Sequence, residues 1–313
     1  MGMSGAYGPS DDRESIATIH AAIDAGITYL DTGDFYGMGH NELLLRDALK
    51  GRRDKVLIGV KFGAQRGPDG AFGGYDGRPQ AVKSFLAYSL TRLGTDHVDL
   101  YQPARVDPKV PIEDTVGAIG DLIKAGYVRH VGLSEANAAT VARAHKVHPV
   151  AALQIEYSVM ARGIENEILP AMRKLGVGIV PYGVLCRGLL TGAVTARPSA
   201  PGDSRLRQPR FDPENLPRNL ALVEKFAALA REFGATPSQL ALAWVLARGG
   251  DIVPLLGTRQ RAKLAEGLKA LDIALTPADL RRIEETVPAG AVAGARYGAH
   301  EMQVLDSEQR VSA

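Results

Sequence analysis

Short β-branched runs alternate with longer stretches of helical hydrophobic period along most of the chain. The strand-like runs are Thr28–Asp31, Val56–Lys61, His97–Gln102, Val128–Leu133, Ala152–Tyr157, Gly178–Tyr182 and Ile252–Leu256. Between and after them the 3.6-residue period predicts helices over Glu14–Ala25, Glu42–Lys50, Gln80–Leu93, Ile112–Ala125, Ala138–His145, Glu165–Leu175, Leu216–Phe233, Ser238–Ala247, Thr258–Leu268 and Pro277–Glu285. Thr236-Pro237 and Thr276-Pro277 read as N-caps followed by proline at the first helical position. Strict βα alternation argues for a parallel sheet covered by helices. No compositional break or linker divides the chain, so residues 1–313 are read as one domain, a closed (β/α)8 TIM barrel. Seven strands are visible where such a barrel has eight. The first is expected to be short or missing, because only Met1–Ser4 precedes the Tyr7-Gly8-Pro9 turn. An incomplete barrel would have two open edges, with lower stability and weaker ligand binding.

Two long connections follow strand ends. Gln65–Pro79 contains five glycines and Ala193–Arg218 five prolines. Both lie on the face where barrel active sites are built, so each is a candidate cover for a ligand.

Composition narrows the class of partner. With 37 Lys+Arg against 35 Asp+Glu there is no basic excess for a phosphate-binding stripe, and nucleic acid is not expected. The longest charge-free stretch, Phe233–Ala247, is too short and too polar to span a bilayer. The opening MGMSGAYGPS lacks the basic and apolar regions of a secretion signal. A single cysteine, Cys186, fits a reducing compartment, so a cytoplasmic protein is expected, a monomer or weak homo-oligomer. His145 and His148 have no third ligand nearby, and no metal is expected. No GxGxxG, GxxxxGK[ST] or GxSxG motif is present, so Rossmann, P-loop and nucleophile-elbow chemistry are unsupported.

Three ionisable residues sit at or just beyond the ends of consecutive strands: Asp31, Tyr36 and Lys61. Barrel geometry would bring them to one mouth. A lysine beside a tyrosine is expected to lower the phenol's pKa, with an aspartate holding the lysine charged and oriented. The trio is then a proton donor for a carbonyl oxygen as hydride reaches its carbon.

The segments AGITYLDTGDFYGMGHNELLLRDAL, DHVDLYQPARVDP, AGYVRHVGLSEAN, ALQIEYS, VPYGVLCRGLLTG and LLGTRQRAKLAEG closely resemble, in order, the signature of the aldo-keto reductases. The match covers about residues 1–270. It implies an NADPH-dependent barrel enzyme that reduces aldehydes or ketones, with Tyr36 as general acid and Lys61 and Asp31 tuning it. It places Ser134 and Gln154 at the nicotinamide carboxamide and Tyr182 on the nicotinamide face. Gly183, Leu185, Arg187 and Gly188 fall around the pyrophosphate. Thr258, Arg259 and Lys263 fall on the adenosine 2′-phosphate, which favours NADPH/NADP+ over NADH, and Glu266 falls on the adenine. The run from Pro103 to Pro149 resembles the branch containing fungal pyridoxal reductases and plant auxin-induced-type reductases, so pyridoxal is among the implied carbonyl substrates.

The chain departs from the family where most members carry a histidine that hydrogen-bonds the developing oxyanion. That position is Ala104. His97 and His130 fall at the opposite end of their strands, and His40 is the one stand-in at the correct mouth. Glu135 replaces a common asparagine beside the nicotinamide, and Gly267 replaces one near the adenine, where a weaker cofactor contact is expected. The alternative implied by Ala104 is a catalytically weak NADPH-binding sensor or partner subunit. The tail from Gly290 to Ala313 has a composition compatible with folding over the mouth or with disorder.

Overall fold

The computed structural model describes residues 1–200 and 202–309. Six parallel strands, β1 (Tyr29–Gly33), β2 (Leu57–Phe62), β5 (Val98–Pro103), β6 (Val128–Ser134), β7 (Val150–Glu156) and β8 (Gly178–Tyr182), lie side by side in that order. The extended segment after β8 continues the arc: Ile179 N donates to Asp251 O, Val253 N to Ile179 O and Leu255 N to Pro181 O. Seven staves of a (β/α)8 barrel are thus in place, and among the described residues no strand pairs between β1 and the 252–256 segment.

Each predicted helix and six of the seven predicted strands are present; the seventh, Ile252–Leu256, is an extended segment with a single bridge, Ile179 to Ile252. Helices α1 (Asp12–Asp24), α2 (His40–Ala48), α3 (Pro79–Leu93), α4 (Ile112–Lys124), α5 (Ala138–Val147), α6 (Ile168–Leu175), α7 (Leu216–Glu232), α8 (Pro237–Leu246), α9 (Arg261–Leu268) and α10 (Pro277–Thr286) are joined by a short α11 (Ala299–Val304) in the tail. Thr236 and Thr276 each form a capping box with the residue three positions on, Gln239 and Asp279, as their Thr-Pro sequences predict. The glycine-rich connection after β2 is a hairpin of its own, β3 (Ala64–Arg66) against β4 (Phe72–Tyr75), which the periodicity does not show.

The strands are nearly continuous apolar runs because helices cover their outer faces. Val60, Val131, Leu133, Leu153 and Ile179 are fully buried, packed with Val82, Val116, Ile119 and Phe226 from the surrounding helices. Phe62 stacks on Tyr101 at 4.2 Å, and the Tyr101 hydroxyl donates to Val82 O, so even the ring's polar end is satisfied inside the core.

Residues 1–9 run across the strand C-terminal ends. Ser4 Oγ meets His40 Nδ1 and accepts from Asn41 Nδ2, both at 3.0 Å at the start of α2. Ser204 N donates to Ala6 O, and Arg259 donates to the carbonyls of Tyr7, Gly8 and Pro9.

Ile119 sits on the apolar face of α4 with no exposure, so Ile119→Ala should cost about 2–5 kcal/mol. Equilibrium denaturant unfolding measures this; a loss under about 1 kcal/mol would mean that the helix layer is not packed as described.

Candidate active site

β1 and β2 are in register with Asp31 opposite Gly59 and Gly33 opposite Lys61, which delivers both charged side chains to the C-terminal rim. Lys61 Nζ donates to Asp31 Oδ1, and Gln154 Nε2, from β7 on the far side, donates to Asp31 Oδ2 at 2.7 Å. Tyr36 follows β1 in a short 3-10 turn, with Lys61 Nζ 5.1 Å from its ring centroid. Glycines 37 and 39 have φ of +58° and +96°, which lets that turn reverse sharply behind the tyrosine. Asp31, Tyr36, Lys61 and Gln154 are therefore one cluster.

The electrostatics of that cluster correct one expectation. The half-buried Tyr36 phenol is held well above its ordinary pKa, first by burial and then by the Asp31 carboxylate, and not lowered by Lys61. Lys61 is itself lowered by burial, with Asp31 opposing. Desolvation outweighs the lysine's attraction because Asp31 already takes up that charge. The phenol is thus kept fully protonated, the state a proton donor needs. Nearby, Asp34 is pushed up to about 7 by burial and by Glu42.

Around this cluster stand the residues expected at the nicotinamide and pyrophosphate. Ser134 and Gln154 are register partners on β6 and β7. Ser134 Oγ is buried and has no hydrogen-bond partner, an orphan hydroxyl that a carboxamide would satisfy. Tyr182 ends β8 and donates to Glu135 Oε1 at 2.7 Å. Gly183 has φ +67°, and a Cβ there would come 3.2 Å from Glu156 Cγ, so glycine is needed on both counts. Arg187 at φ +52° and Gly188 at +98° continue the turn, with Leu185 packed on the core. The unpartnered Ser134 hydroxyl and the turn opened at Gly183 and Gly188 fit a bound dinucleotide.

A second cluster lies where the 252–256 segment leads into α9. Thr258 and Arg259 precede the helix rather than begin it, while Lys263 and Glu266 lie on it, paired at 2.9 Å. Glu266 also accepts from Thr236 Oγ1. Three backbone carbonyls of residues 7–9 orient the Arg259 guanidinium. Gly267 faces Leu256: a Cβ there would come 2.7 Å from Leu256 Cδ2, the end of a side chain that can turn aside.

His40 does not replace the absent imidazole. Its two ring nitrogens face Ser4 Oγ and Asp12 Oδ2 at 3.0 and 3.1 Å, tying α2 to the N-terminal segment. His97 pairs with Asp96 and Arg129 at the opposite end of the barrel, as its strand position requires.

Of the two alternatives open for the tail, its described part takes the first and folds over the mouth. Arg296 binds Glu135 at 2.8 Å, Glu156 at 3.3 Å and Glu308 at 2.6 Å. Ser307 donates to Glu135, Asp306 accepts from Asn137 N, and the Tyr297 and Tyr182 hydroxyls are 2.7 Å apart. Arg187 and Arg210 also converge on Glu156. Burial pushes Glu135 up, but the ion pair and hydrogen bonds with Arg296, aided by Arg105 and Ser307, outweigh it and hold the carboxyl at about 2. Glu135, Cys186 and Arg187 are three of the four non-glycine residues at positive φ among the described residues, and all three lie in or beside this charge network.

The aldo/keto reductase family model matches residues 1–288. Probable aldo-keto reductase 1 of Glycine max is 46% identical over 302 residues, which is 95% of this chain and 86% of the relative. The solved glycerol dehydrogenase of Gluconobacter oxydans superposes with a TM-score of 0.82 at 29% identity, covering 92% of this chain and 89% of that one. The chain belongs to the aldo/keto reductase family. Its members are NAD(P)H-dependent oxidoreductases acting on small carbonyl compounds, so this aldo/keto reductase uses a nicotinamide cofactor. No described helix is long and apolar enough to cross a membrane.

Breaking the Arg296 pair leaves Glu135 buried without an ion-pair partner, so Arg296→Met should cost about 3–5 kcal/mol. A depressed carboxyl contributes stability above its ordinary value of 4.5 and loses it as the pH falls toward about 2. The difference in unfolding free energy between wild type and variant should be widest at neutral pH and narrow below 4.5. A difference independent of pH would show that the pair is not what anchors the tail.

Proposed function

We propose that this aldo/keto reductase uses NADPH to reduce an aldehyde or ketone to the alcohol, with Tyr36 as proton donor. The observation that carries the reading is the Lys61–Asp31 pair placed against the Tyr36 ring at the barrel mouth. When bound, the nicotinamide supplies the hydride that forms the new C–H bond. As the carbonyl π electrons move onto oxygen, Tyr36 releases its proton to that oxygen, and Lys61 stabilises the phenolate left behind. Asp31, fixed from both sides by Lys61 and Gln154, keeps the ammonium charged in spite of its burial. The phenolate regains its proton from solvent.

The 2′-phosphate selectivity rests on Arg259 and Lys263 with Thr258, two cations and a hydroxyl at the entry to α9. For the substrate, the alanine at 104 leaves room at the mouth. Pyridoxal, whose phenol and ring nitrogen can make polar contacts of their own, is the first carbonyl to try. Dihydroxyacetone and glyceraldehyde join the panel because the solved relative is a glycerol dehydrogenase. We place the protein in the cytoplasm as a monomer or weak homo-oligomer, on its single, buried cysteine and balanced charge.

Ala104 favours a second reading, an NADPH-binding protein with little turnover. The assay that decides follows NADPH oxidation with this panel. Tyr36→Phe should lower kcat by about 10²–10⁴ while NADPH still quenches or enhances fluorescence on binding. Turnover unchanged in that variant would remove Tyr36 from the chemistry. Ala104→His should raise kcat on simple aldehydes by up to about 10²–10³ if the missing donor is what limits the enzyme. Binding without oxidation in both wild type and Ala104→His would favour the second reading.

A further inference from the structure

Most cations around the mouth are paired with carboxylates. Lys61 is bound to Asp31, Arg296 to Glu135 and Glu156, and Arg187 and Arg210 to Glu156. Arg105 is half-buried and, among the described residues, has no carboxylate within 4.0 Å. Glu135 acts on it only from beyond that distance; a half-buried charge with no counter-charge in contact is costly, and a functional site is where such a cost persists.

Its placement is fixed by two hydrogen bonds. Nη1 donates to its neighbour's carbonyl, Ala104 O, at 2.6 Å, and Nη2 donates to the Tyr297 hydroxyl at 3.2 Å. Tyr297 is in turn 2.7 Å from the Tyr182 hydroxyl, so the guanidinium is joined to the side of the mouth where the nicotinamide is expected. A guanidinium carries five N–H donors, which leaves three without a hydrogen-bond partner among the described residues. Arg105 directly follows the alanine that stands where most of the family has its imidazole. Its positive charge also reaches the reacting groups, opposing the rise in the Tyr36 pKa and adding to the fall in that of Lys61.

We propose that Arg105 supplies the hydrogen-bond donor that Ala104 lacks, binding the substrate's carbonyl oxygen as negative charge develops there. This rests on the reductase reading above. In the step, hydride adds to the carbonyl carbon, the C=O π pair moves to oxygen, and Tyr36 gives that oxygen its proton. Arg105 contributes N–H donors and charge and keeps its own protons throughout, since a guanidinium does not titrate in the working range. Unlike an imidazole, it presents a permanent charge and a planar pair of donors, so it can also grip an oxygen flanked by a second acceptor.

The test compares wild type with Arg105→Met and Arg105→Ala on benzaldehyde and 4-carboxybenzaldehyde, with NADPH binding followed separately by fluorescence. The expected result is a fall in kcat of about 10²–10³ on both aldehydes alike, with NADPH affinity retained. Added guanidinium ion at millimolar levels should restore part of the Arg105→Ala rate and none of the Tyr36→Phe rate. An unchanged kcat would overturn the proposal, and so would a loss confined to the KM of the carboxylate-bearing aldehyde, which would make Arg105 a receptor for substrate anions. If either variant loses NADPH binding, Arg105→Lys with guanidinium addition decides, and failure of rescue there also counts against it. A wild type that binds NADPH and oxidises it with no aldehyde overturns the reductase reading itself, which is a separate outcome.

Discussion

Two carboxylates, Glu135 and Glu156, are buried beneath the barrel mouth, and the arrangement of the surrounding loops depends on neutralising them. A buried carboxylate without a partner would either take up a proton or unfold its surroundings. Here the counter-charges come from separate segments: Arg187 from the turn after β8, Arg210 from the proline-rich connection, and Arg296 from the C-terminal tail. None of these segments has a regular element long enough to hold itself in place. The shared need for charge balance draws them together, and the Tyr182 hydroxyl and Ser307 complete the shell around Glu135.

That network has a consequence for the chemistry beside it. By binding Arg296, Glu135 seats Tyr297, which links Arg105 to Tyr182. The tail therefore reaches the reacting groups through side chains rather than by covering them alone. The Asp31–Lys61 pair is independent of this network, since Asp31 is fixed by Lys61 and Gln154 from the strands themselves. Asp31 and Lys61 stand on the sheet, while Arg105, Arg296 and Tyr297 stand on loops beyond it. This division is the one barrel folds commonly use to change substrates without changing reaction.

The first residues lie beside the edge between β1 and the 252–256 segment. The backbone of residues 1–9 does not replace the stave; it bridges the rim above it, holding α2 through Ser4 and the α9 entry through Arg259. Its carbonyls orient a residue expected at the cofactor phosphate.

The order of strands and helices, the Thr-Pro helix starts and the trio Asp31, Tyr36 and Lys61 are legible in the sequence because each is set by local period or by position relative to a strand end. In a parallel barrel all strand C-terminal ends share one face, so a residue's place on its strand predicts which others it meets. The direction of the Tyr36 pKa was not legible, because it turns on burial against attraction, and burial belongs to the assembled mouth. Arg105, Arg296 and Tyr297 carry no motif: their partners lie from one to 192 residues away. Whether a charged loop residue meets an acid, a phenol or water depends on where distant segments come to rest. Only the tertiary structure decided that.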